Sequence, residues 1–487
     1  MRVLLLSCMF CMLSCAVKAQ DNNFRDVYLK FKEEAFKKYN NFRDNANRQY
    51  VEFMQQAWKQ FESKPAIPKP KEEQQPPTVY PKNDEKKPIK DSLQQHVEVI
   101  PFIEPEPQPE PVSPIQETPQ PAEVYHNFKF FDTEYRVRLN ESHRFKLDGC
   151  NNKILSATWA KLSQSDYNNV IHDCLELREQ NSLCDWAYFL MLQALSDSFF
   201  DKDTNESTML CAYLFAQSGY QMRLGIGNQR LYIMVASKHQ IYNTNLWVID
   251  GVNYYAFNCK EKSLQICEAS MPNEKPLSLI MMQLPKFKEQ TTQARTLQSK
   301  RYKDICVNIC SDATMVDFFQ TYPSSMIGNN PCSRWAIYAN TPLSESVKDQ
   351  LYPVLQHQII GCSQKEAVER LLNFVQTAFV YEYDDVVWGG DRAFFAEETL
   401  HYAYCDCEDR SILFSRLVRD LLGLKVLLVY YPGHLATAVH FTDTVSGDYL
   451  LLDNQRYTVC DPTYVGAPVG LTMPGMNNGE AKVILLK

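Results

Sequence analysis

Three residues late in the chain have the types and the order that nucleophilic thiol chemistry requires. Cys407 stands where a predicted helix begins, with Glu408 and Asp409 in its first turn, as helix starts prefer. The unsatisfied N–H groups and the dipole of a helix start favour a thiolate. His434 opens one predicted strand and could move the thiol proton, and Asp461 closes the next strand but one and could orient the imidazole. A sheet packed on that helix would bring the three together, so the pattern predicts a Cys-His-Asp triad.

Each of these residues also has a simpler interpretation. A lone cysteine is more often a core or disulfide residue, a lone histidine is often structural, and Asp-Pro-Thr is a common turn. His440 is the alternative base, but it lies six residues after His434, at the far end of the same strand face. Asp453 is the alternative carboxylate, but an Asp followed by Asn and Gln indicates a turn. The joint occurrence in order favours Cys407, His434 and Asp461.

Three motifs surround these residues: a C-D-C-E-D-R-S-I-L-F helix, a G-H-L-A-T-A-V strand and a C-D-P-T strand end. Over about residues 360 to 470 they resemble the transglutaminase-like superfamily, in its bacterial exported type. That family has a papain-like cysteine fold with the chain order Cys, His, Asp. The resemblance implies that Cys407 is the nucleophile, His434 the base and Asp461 the orienting carboxylate, and that they act through an acyl-thioester intermediate.

Two positions depart from the family pattern. Leu435 follows the histidine, where the family often has an aromatic residue, and this affects the wall that would meet a substrate. Cys405 lies two residues before the nucleophile and could form a regulatory disulfide or simply be buried. In family terms, water as acceptor makes a protease or amidase, and a lysine amine makes a cross-linking transglutaminase. The triad is common to both reactions and does not separate them.

The helix that carries the cysteine has a counterpart earlier in the chain. Residues 207–220 and 411–424 both predict an apolar-striped helix that ends at a glycine, where a left-handed cap is expected. Each is followed by two strands, a segment centred on an aspartate and a Met-Pro pair. The matching positions are Gly219 and Gly423, Asp250 and Asp453, and 271–272 and 473–474. The order predicts an α+β fold of two tandem transglutaminase-like domains.

The repeat transfers the triad to the first copy. Aligning the two helices without a gap places Asp203 at the cysteine position and Arg230 at the histidine position, and aligning the two central aspartates places Asn258 at the carboxylate position. These side chains cannot supply a thiolate, a proton shuttle or a negative orienting group. The first domain is therefore predicted to be degenerate, with a binding, regulatory or packing role, and Arg230 is predicted to pair with Asp203.

The first residues have the pattern of a cleaved signal peptide. Arg2 supplies a positive charge, an apolar stretch follows, and Val17 and Ala19 occupy the −3 and −1 positions of a small-residue cleavage site. An alternative makes Cys15 the lipid-modified first residue of a lipoprotein. Either way the chain is predicted to be exported, to the periplasm or the extracellular space. Thirteen cysteines remain beyond this segment, and an odd number leaves at least one thiol without an intramolecular disulfide partner.

Two segments precede the predicted folded part. Residues 22–62 carry aromatic residues near helical spacing and predict an amphipathic helix or helical hairpin, which either packs on this protein or itself, or docks on an envelope or protein partner. Between residues 65 and 121 lie fifteen of the 26 prolines and no glycine, which predicts a disordered, extended spacer. The predicted divisions are a signal peptide at 1–19, a helical segment at 20–63, a linker at 64–125, a degenerate domain at 126–300 and a catalytic domain at 301–487.

Composition limits the function classes. A formal net charge of −8 argues against nucleic-acid binding through a basic surface, and no apolar run after the first twenty residues is long enough to span a membrane. No zinc-like Cys/His spacing or glycine-rich phosphate loop is visible, so no metal or cofactor is predicted. The sequence favours an exported thiol hydrolase acting on a protein or peptide substrate. The alternatives are a cross-linking transglutaminase and a non-catalytic envelope binding or scaffold protein.

Overall fold

The structure is a computed structural model that describes residues 22–71, 75–81, 97–102, 104–118, 123–164 and 167–487, with side chains from residue 30 onward. Helices and strands are mixed along the chain, so the predicted α+β class is confirmed. The predicted signal segment, with Arg2, Val17, Ala19 and the alternative lipid site Cys15, lies outside the described residues. No helix in the described ranges is long and apolar enough to cross a membrane.

The regular elements of the described residues are twelve α-helices and twenty β-strands. The helices are α1 (Asn22–Met54), α2 (Asn152–Ser163), α3 (Tyr167–Gln180), α4 (Asp185–Phe200), α5 (Asn205–Gln217), α6 (Ala313–Gln320), α7 (Ser333–Asn340), α8 (Glu345–Ile359), α9 (Gln364–Ala378), α10 (Asp384–Val387), α11 (Ala396–His401) and α12 (Cys407–Leu422). The strands are β1 (Lys59–Glu62), β2 (Glu98–Ile100), β3 (His126–Phe130), β4 (Thr133–Val137), β5 (Met222–Gly227), β6 (Arg230–Ala236), β7 (Gln240–Ile241), β8 (Leu246–Ile249), β9 (Val252–Tyr255), β10 (Ser263–Cys267), β11 (Arg295–Gln298), β12 (Cys306–Ile309), β13 (Ser325–Met326), β14 (Val380–Tyr381), β15 (Tyr404–Cys405), β16 (Val426–Tyr431), β17 (His434–Val439), β18 (Tyr449–Leu452), β19 (Gln455–Cys460) and β20 (Lys482–Leu485).

The two largest sheets have six strands each, in the same neighbour order. The first sheet runs β1-β10-β5-β6-β9-β8, and the second runs β2-β20-β16-β17-β19-β18. In each, an antiparallel hairpin (β5–β6 or β16–β17) lies at the centre, and a second hairpin (β8–β9 or β18–β19) forms one edge. The helix before the central hairpin, α5 or α12, packs on its sheet. The opposite edges differ, because β1 is antiparallel to β10 whereas β2 is parallel to β20.

The edge hairpins of both sheets turn through residues with positive φ. Asp250 and Gly251 have φ values of 49° and 78°, and Asp453 and Asn454 have values of 49° and 60°. Two successive positive φ values are typical of type I′ turns, whose twist matches that of the flanking strands. The prediction that Asp453 belongs to a turn is therefore confirmed, and its side chain is exposed.

Helix α12 forms because its sequence supplies hydrogen-bond partners at both helix ends and buries a broad apolar face. At its start, the backbone N–H of Asp406 donates to the carboxylate of Asp409 at 3.2 Å. At its end, Gly423 has the left-handed φ of 64° and donates its N–H to the carbonyl of Arg419 at 3.1 Å. Burial of each large apolar side chain on the inner face contributes about 1.5–3 kcal/mol. These side chains are Ile412, Leu413, Phe414, Leu417 and Val418.

One hydrophobic core includes residues from both halves of the folded part. The ring of Phe131 lies 5.1 Å from that of Phe287 and 5.5 Å from that of Phe318, measured between centroids. The contact between Phe131 and Phe318 crosses the predicted boundary between residues 126–300 and 301–487. The two halves therefore share buried surface and are not joined by a linker alone.

The N-terminal helix is shorter than predicted. Helix α1 ends at Met54, whose carbonyl accepts the indole N–H of Trp58 at 3.0 Å. The last part of the predicted 22–62 helix instead forms strand β1, in which Phe61 pairs with Leu264 of β10. The prediction failed here because the exposed edge of β10 offers this segment backbone partners that a helical pattern in the sequence does not reveal.

The proline-rich segment predicted to be a disordered linker at 64–125 is, in its described parts, held against the folded protein. Strand β2 lies within it, and Ile100 of that strand is buried. Ser113 is buried as well, and the backbone N–H of Thr118 donates to Oδ1 of Asn169 at 2.7 Å. Apolar residues between the prolines supply enough burial, and an extended backbone is already suited to pair with a sheet edge.

Helix α1 is consequently not held at a distance from the rest of the protein. Its C-terminal half packs on α2, where the rings of Tyr50 and Trp159 are 4.5 Å apart. The side chain of Asn47 accepts the indole N–H of Trp159 at 3.1 Å. Farther toward the N terminus, the side chains of Phe31, Tyr39 and Phe42 are exposed.

Candidate active site

Cys407 occupies the predicted place at the start of α12 and is buried, with 2% of its surface exposed. Its Sγ lies 3.1 Å from Oε2 of Glu408, and the backbone N–H of Leu435 is close enough to lower the pKa of the thiol. The thiol therefore lies between the first turn of α12 and the first residues of β17. Backbone N–H groups of a first helical turn have no partner within the helix, so they remain available to a ligand.

His434 and Asp461 form a buried pair. Nε2 of the imidazole lies 2.9 Å from Oδ2 of the carboxylate, and the two side chains are 0% and 2% exposed. Nδ1 of His434 is also buried and has no hydrogen-bond partner among the described residues. Because one ring nitrogen is engaged by the carboxylate, Nδ1 is the nitrogen left to exchange a proton with a thiol.

Asp461 is fixed by its own loop and by α9. Its Oδ1 accepts the backbone N–H groups of Thr463 and Tyr464 at 2.8 and 3.1 Å, which leaves Oδ2 for His434. Gln376 of α9 donates through Nε2 to three carbonyl groups of this loop, at 2.8 to 3.2 Å, and one of them is that of Asp461. Helix α9 thus holds the carboxylate in place.

Ser411 ties the helix of the cysteine to the strand of the histidine. Its Oγ donates to the carbonyl of Leu435 at 2.8 Å, one residue after His434. The sequence reasoning missed both Ser411 and Gln376 as parts of the site. One signal in the sequence could have identified them. Each is a polar residue on the apolar side of a predicted helix, where a buried side chain needs a hydrogen-bond partner.

Cys407 and His434 line one cavity of about 530 Å³. Its wall combines aromatic side chains with a group of carboxylates and two cationic residues. The other lining residues are Lys71, Arg334, Trp335, Tyr383, Asp384, Asp385, Val386, Asp391, Glu408, Tyr430, Gly433 and Leu435. The structure therefore brings the predicted nucleophile and base to a common space that a small part of a substrate could enter.

The electrostatics of this cavity favour protonated groups. Burial, followed by the negative charges of Glu408 and Asp406, raises the pKa of Cys407 well above its usual value, although the N–H of Leu435 acts in the opposite direction. Burial and the charge of Glu408 likewise raise the pKa of Asp384 to about 8. The sequence predicted that the helix start would favour a thiolate, but the carboxylates and the burial around the thiol outweigh it.

Some of these carboxylates are close enough to share a cation. The carboxylate oxygens of Asp384, Asp391 and Glu408 lie within 4.8 Å of one another, and so do ligand atoms of Asp406, Cys407 and Glu408. A group of carboxylates does not by itself define a metal site, since such groups also occur without an ion. The expectation that the protein uses no metal and no cofactor remains a prediction.

The competing residues lie apart from this arrangement. The thiol of Cys405 is buried, and its Sγ lies 3.8 Å from the carbonyl oxygen of Val380. Nδ1 of His440 lies 2.9 Å from the carbonyl oxygen of Arg456. Cys405 is a free thiol, as are the other twelve cysteines from residue 150 onward.

The three first-copy positions also share one cavity, of about 470 Å³. The guanidinium of Arg230 lies 3.1 Å from Oδ1 of Asp203, so the predicted ion pair is present, and Asn258 lines the same space. Helix α5 has 13 residues and α12 has 16, so Asp203 lies in the turn before its helix, with a φ of 64°. Superposition of these residues on the triad positions remains a prediction.

The fold and the site describe an α+β protein with a buried Cys/His/Asp arrangement at the meeting of a helix start and a central hairpin. No family model, no curated protein and no solved structure matches this chain. The geometry of the site therefore carries the functional argument.

Proposed function

We propose that the protein is an exported cysteine hydrolase of the transglutaminase-like type that cleaves amide or peptide bonds in a protein or peptide substrate. The observation that supports this most is the buried pair of His434 and Asp461 beside a cavity that Cys407 also lines. A thiol, an imidazole and a carboxylate in this order form the minimum set for acyl transfer through a thioester.

The proposed reaction has two steps. In the first, His434 takes the proton of Cys407, Sγ attacks the carbonyl carbon, and N–H groups at the start of α12 stabilise the oxyanion. The histidine then gives its proton to the leaving amine, the C–N bond breaks, and a thioester remains. In the second, His434 takes a proton from water, whose oxygen attacks the thioester, and the thiol is restored as the carboxylic acid leaves. An amine in place of the water would give a cross-linked product, which is the alternative acyl-transfer function.

The tandem arrangement belongs to the same proposal. The equal neighbour order of the two sheets, the two matching hairpin turns and the shared cavity of Asp203, Arg230 and Asn258 support two related domains, of which the first is degenerate. An ion pair cannot exchange protons as a thiol and an imidazole do, since arginine stays charged. The first domain would then bind or regulate, and the second would carry catalysis.

A non-catalytic binding or scaffold function is the second candidate. The burial of Cys407 and its raised pKa favour it, because a buried neutral thiol is a poor nucleophile. The two candidates differ in whether any condition exposes a reactive thiol at this position.

A substrate screen separates these functions. The full chain and its Cys407→Ala variant are incubated with a peptide library, with and without a primary amine, and the products are identified by mass spectrometry. Cleaved peptides from the wild type alone support hydrolysis, and amine incorporation supports cross-linking. Equal turnover by wild type and Cys407→Ala would contradict both.

Export is tested separately. The mature protein isolated from the periplasm or the medium should begin after Ala19, and N-terminal sequencing checks this. Retention of residues 1–19 on the mature chain would contradict a cleaved signal, and a lipid on Cys15 would favour the lipoprotein alternative.

A further inference from the structure

Part of the N-terminal segment reaches the rim of the cavity that Cys407 lines. We call residues 69–71 and 75–81 the strap. The strap contacts the second half of the molecule through side chains at one end and through its backbone at the other. A connection that only joined α1 to the second sheet would not need to meet the cavity, so this route calls for its own explanation.

Two lysines fix the first end of the strap to the acidic rim. Nζ of Lys69 donates to the carbonyl oxygen of Asp391 at 2.6 Å and lies 3.8 Å from the carboxylate of the same residue. Lys71 pairs with Asp385 at 3.2 Å and itself lines the cavity with Cys407. The positive charges of the strap thus meet the negative charges of the rim.

Backbone hydrogen bonds fix the second end beside the catalytic pair. The N–H of Gln75 donates to the carbonyl of Gly433 at 2.9 Å, and Gly433 directly precedes His434. Farther along, Val465 donates its N–H to Thr78 and accepts the N–H of Tyr80, both at 2.9 Å. This is the pattern of an extended peptide added to a sheet edge or loop.

The thiol and the imidazole at this cavity have little access to solvent. Cys407 and His434 are each 2% exposed, yet attack requires a substrate carbonyl about 3–3.5 Å from the thiol. We propose that the strap is an autoinhibitory cover, and that an extended polypeptide substrate displaces it and takes over its backbone contacts at Gly433. This inference rests on the proposed hydrolase function. The raised pKa of the covered thiol agrees with an inert resting state.

The test uses the full chain with the strap contacts removed. A strap variant combines Lys69→Glu, Lys71→Glu and Gln75→Pro, which reverses both charges and deletes the N–H donor. The rate of alkylation of Cys407 by iodoacetamide is measured by peptide mass mapping, and peptide hydrolysis is measured in parallel. We expect alkylation and hydrolysis each to rise about tenfold or more, since three weak contacts are lost together.

Two controls separate opening from other effects. Lys64→Glu reverses a charge on the same segment, but there the backbone N–H donates to Leu246 of the first sheet, so alkylation of Cys407 should not change. Cys405 is equally buried and lies outside the cavity, and its alkylation should stay slow in the strap variant.

The outcomes distinguish the two proposals. An unchanged rate at Cys407, or an equal rise at Cys405, would overturn the strap as a cover. An alkylation rate that rises only at Cys407, without hydrolysis by any variant, would support the strap as a cover and contradict the proposed hydrolase function. Hydrolysis that is equally fast with and without the strap contacts would uphold the hydrolase and overturn autoinhibition.

Discussion

At the thiol of Cys407, opposing effects act on one proton. The helix start and the N–H of Leu435 favour the thiolate, whereas burial and the carboxylates of Glu408 and Asp406 favour the neutral thiol. The pKa of the thiol is raised because burial and the carboxylates outweigh the helix start and the N–H of Leu435. In the proposed hydrolase mechanism, His434 would therefore take the proton of the thiol as attack begins, instead of forming an ion pair with a thiolate in the resting protein.

The two neighbouring cysteines should differ sharply in importance. We expect Cys407→Ala to lower kcat/KM by roughly 10³-fold or more, because nucleophile and base act as a unit. Cys405→Ala should retain most activity, since its thiol is directed to Val380. Steady-state kinetics on the best library peptide checks this. Equal inactivation by the two substitutions, with the fold intact by circular dichroism, would identify the wrong nucleophile or a redox pair.

Asp384 should make stability depend on pH. Its pKa rises from 3.8 to about 8 through burial and the charge of Glu408, so the folded state holds a proton that the unfolded state releases. The contribution of Asp384 to the free energy of unfolding is fully present below about pH 4 and is lost as the pH rises toward 8. Asp384→Asn keeps an oxygen to accept the N–H of Arg392 and should flatten this decline between pH 5 and 8, as measured by melting temperature. In the control, Asp385→Asn should not change how the melting temperature depends on pH, since this side chain is half exposed. The same pH dependence of the melting temperature in both variants would contradict the assignment of this decline to Asp384.

Residue types predicted much of the candidate site and missed its surroundings. Cys407, His434 and Asp461 could be named because their chemistry and order are local in the sequence. The carboxylate of Asp384 and the clamp of Gln376 come from other elements, and only tertiary packing brings them to the site. The burial that reverses the expected thiolate preference has the same origin.

Helices and strands in which apolar residues recur at a regular spacing could be predicted from the sequence, whereas the edge strands of the sheets could not. The helices before Gly219 and Gly423 and the hairpins after them follow from apolar spacing and turn residues. Strands β1 and β2 are four and three residues long, and each exists because a partner strand has a free edge. The sequence of a short edge strand carries little of that information, so a helix and a linker were predicted there.

The clamp between α9 and the loop of Asp461 gives a prediction at this scale. Gln376→Ala should lower kcat and destabilise the fold by about 1–3 kcal/mol, because buried carbonyl groups lose their donor. Gln350→Ala is the matched control, since Gln350 of α8 clamps Cys310 through a similar set of hydrogen bonds away from the cavity. Urea unfolding should show comparable losses for both variants, with kcat lowered in Gln376→Ala alone. A similar fall in kcat in the control would reduce the role of Gln376 to general stability.

The whole molecule behaves as one packed unit in its described folded part. Aromatic contacts of Phe318 with Phe131 and Phe287 join the halves, and the core cluster includes residues of both sheets. A core that continues across a predicted domain boundary couples the unfolding of the two sides.

Cooperative unfolding follows from that shared core. The full chain should give a single calorimetric transition, and Phe318→Ala should lower its midpoint through a loss of about 3–5 kcal/mol without splitting it. Phe31→Ala is the control, because that ring is 65% exposed, and it should shift the midpoint little. Two resolved transitions in the wild type would show independent halves and contradict the coupling.

The pairing of β2 with β20 has a consequence for the order of folding during synthesis. Residues 98–100 find their partners at 482–484, so this edge cannot close until the ribosome has added the last of these residues. The strap is also made early, and its backbone contact with Val465 must wait for nearly four hundred residues. Contacts of such long sequence separation form slowly, because a large loop must close before any pairing energy is gained. Until then β2 and β16, the two strands that flank β20, lack this partner and present open backbone. In that interval the nascent chain is exposed to strand exchange and to proteases.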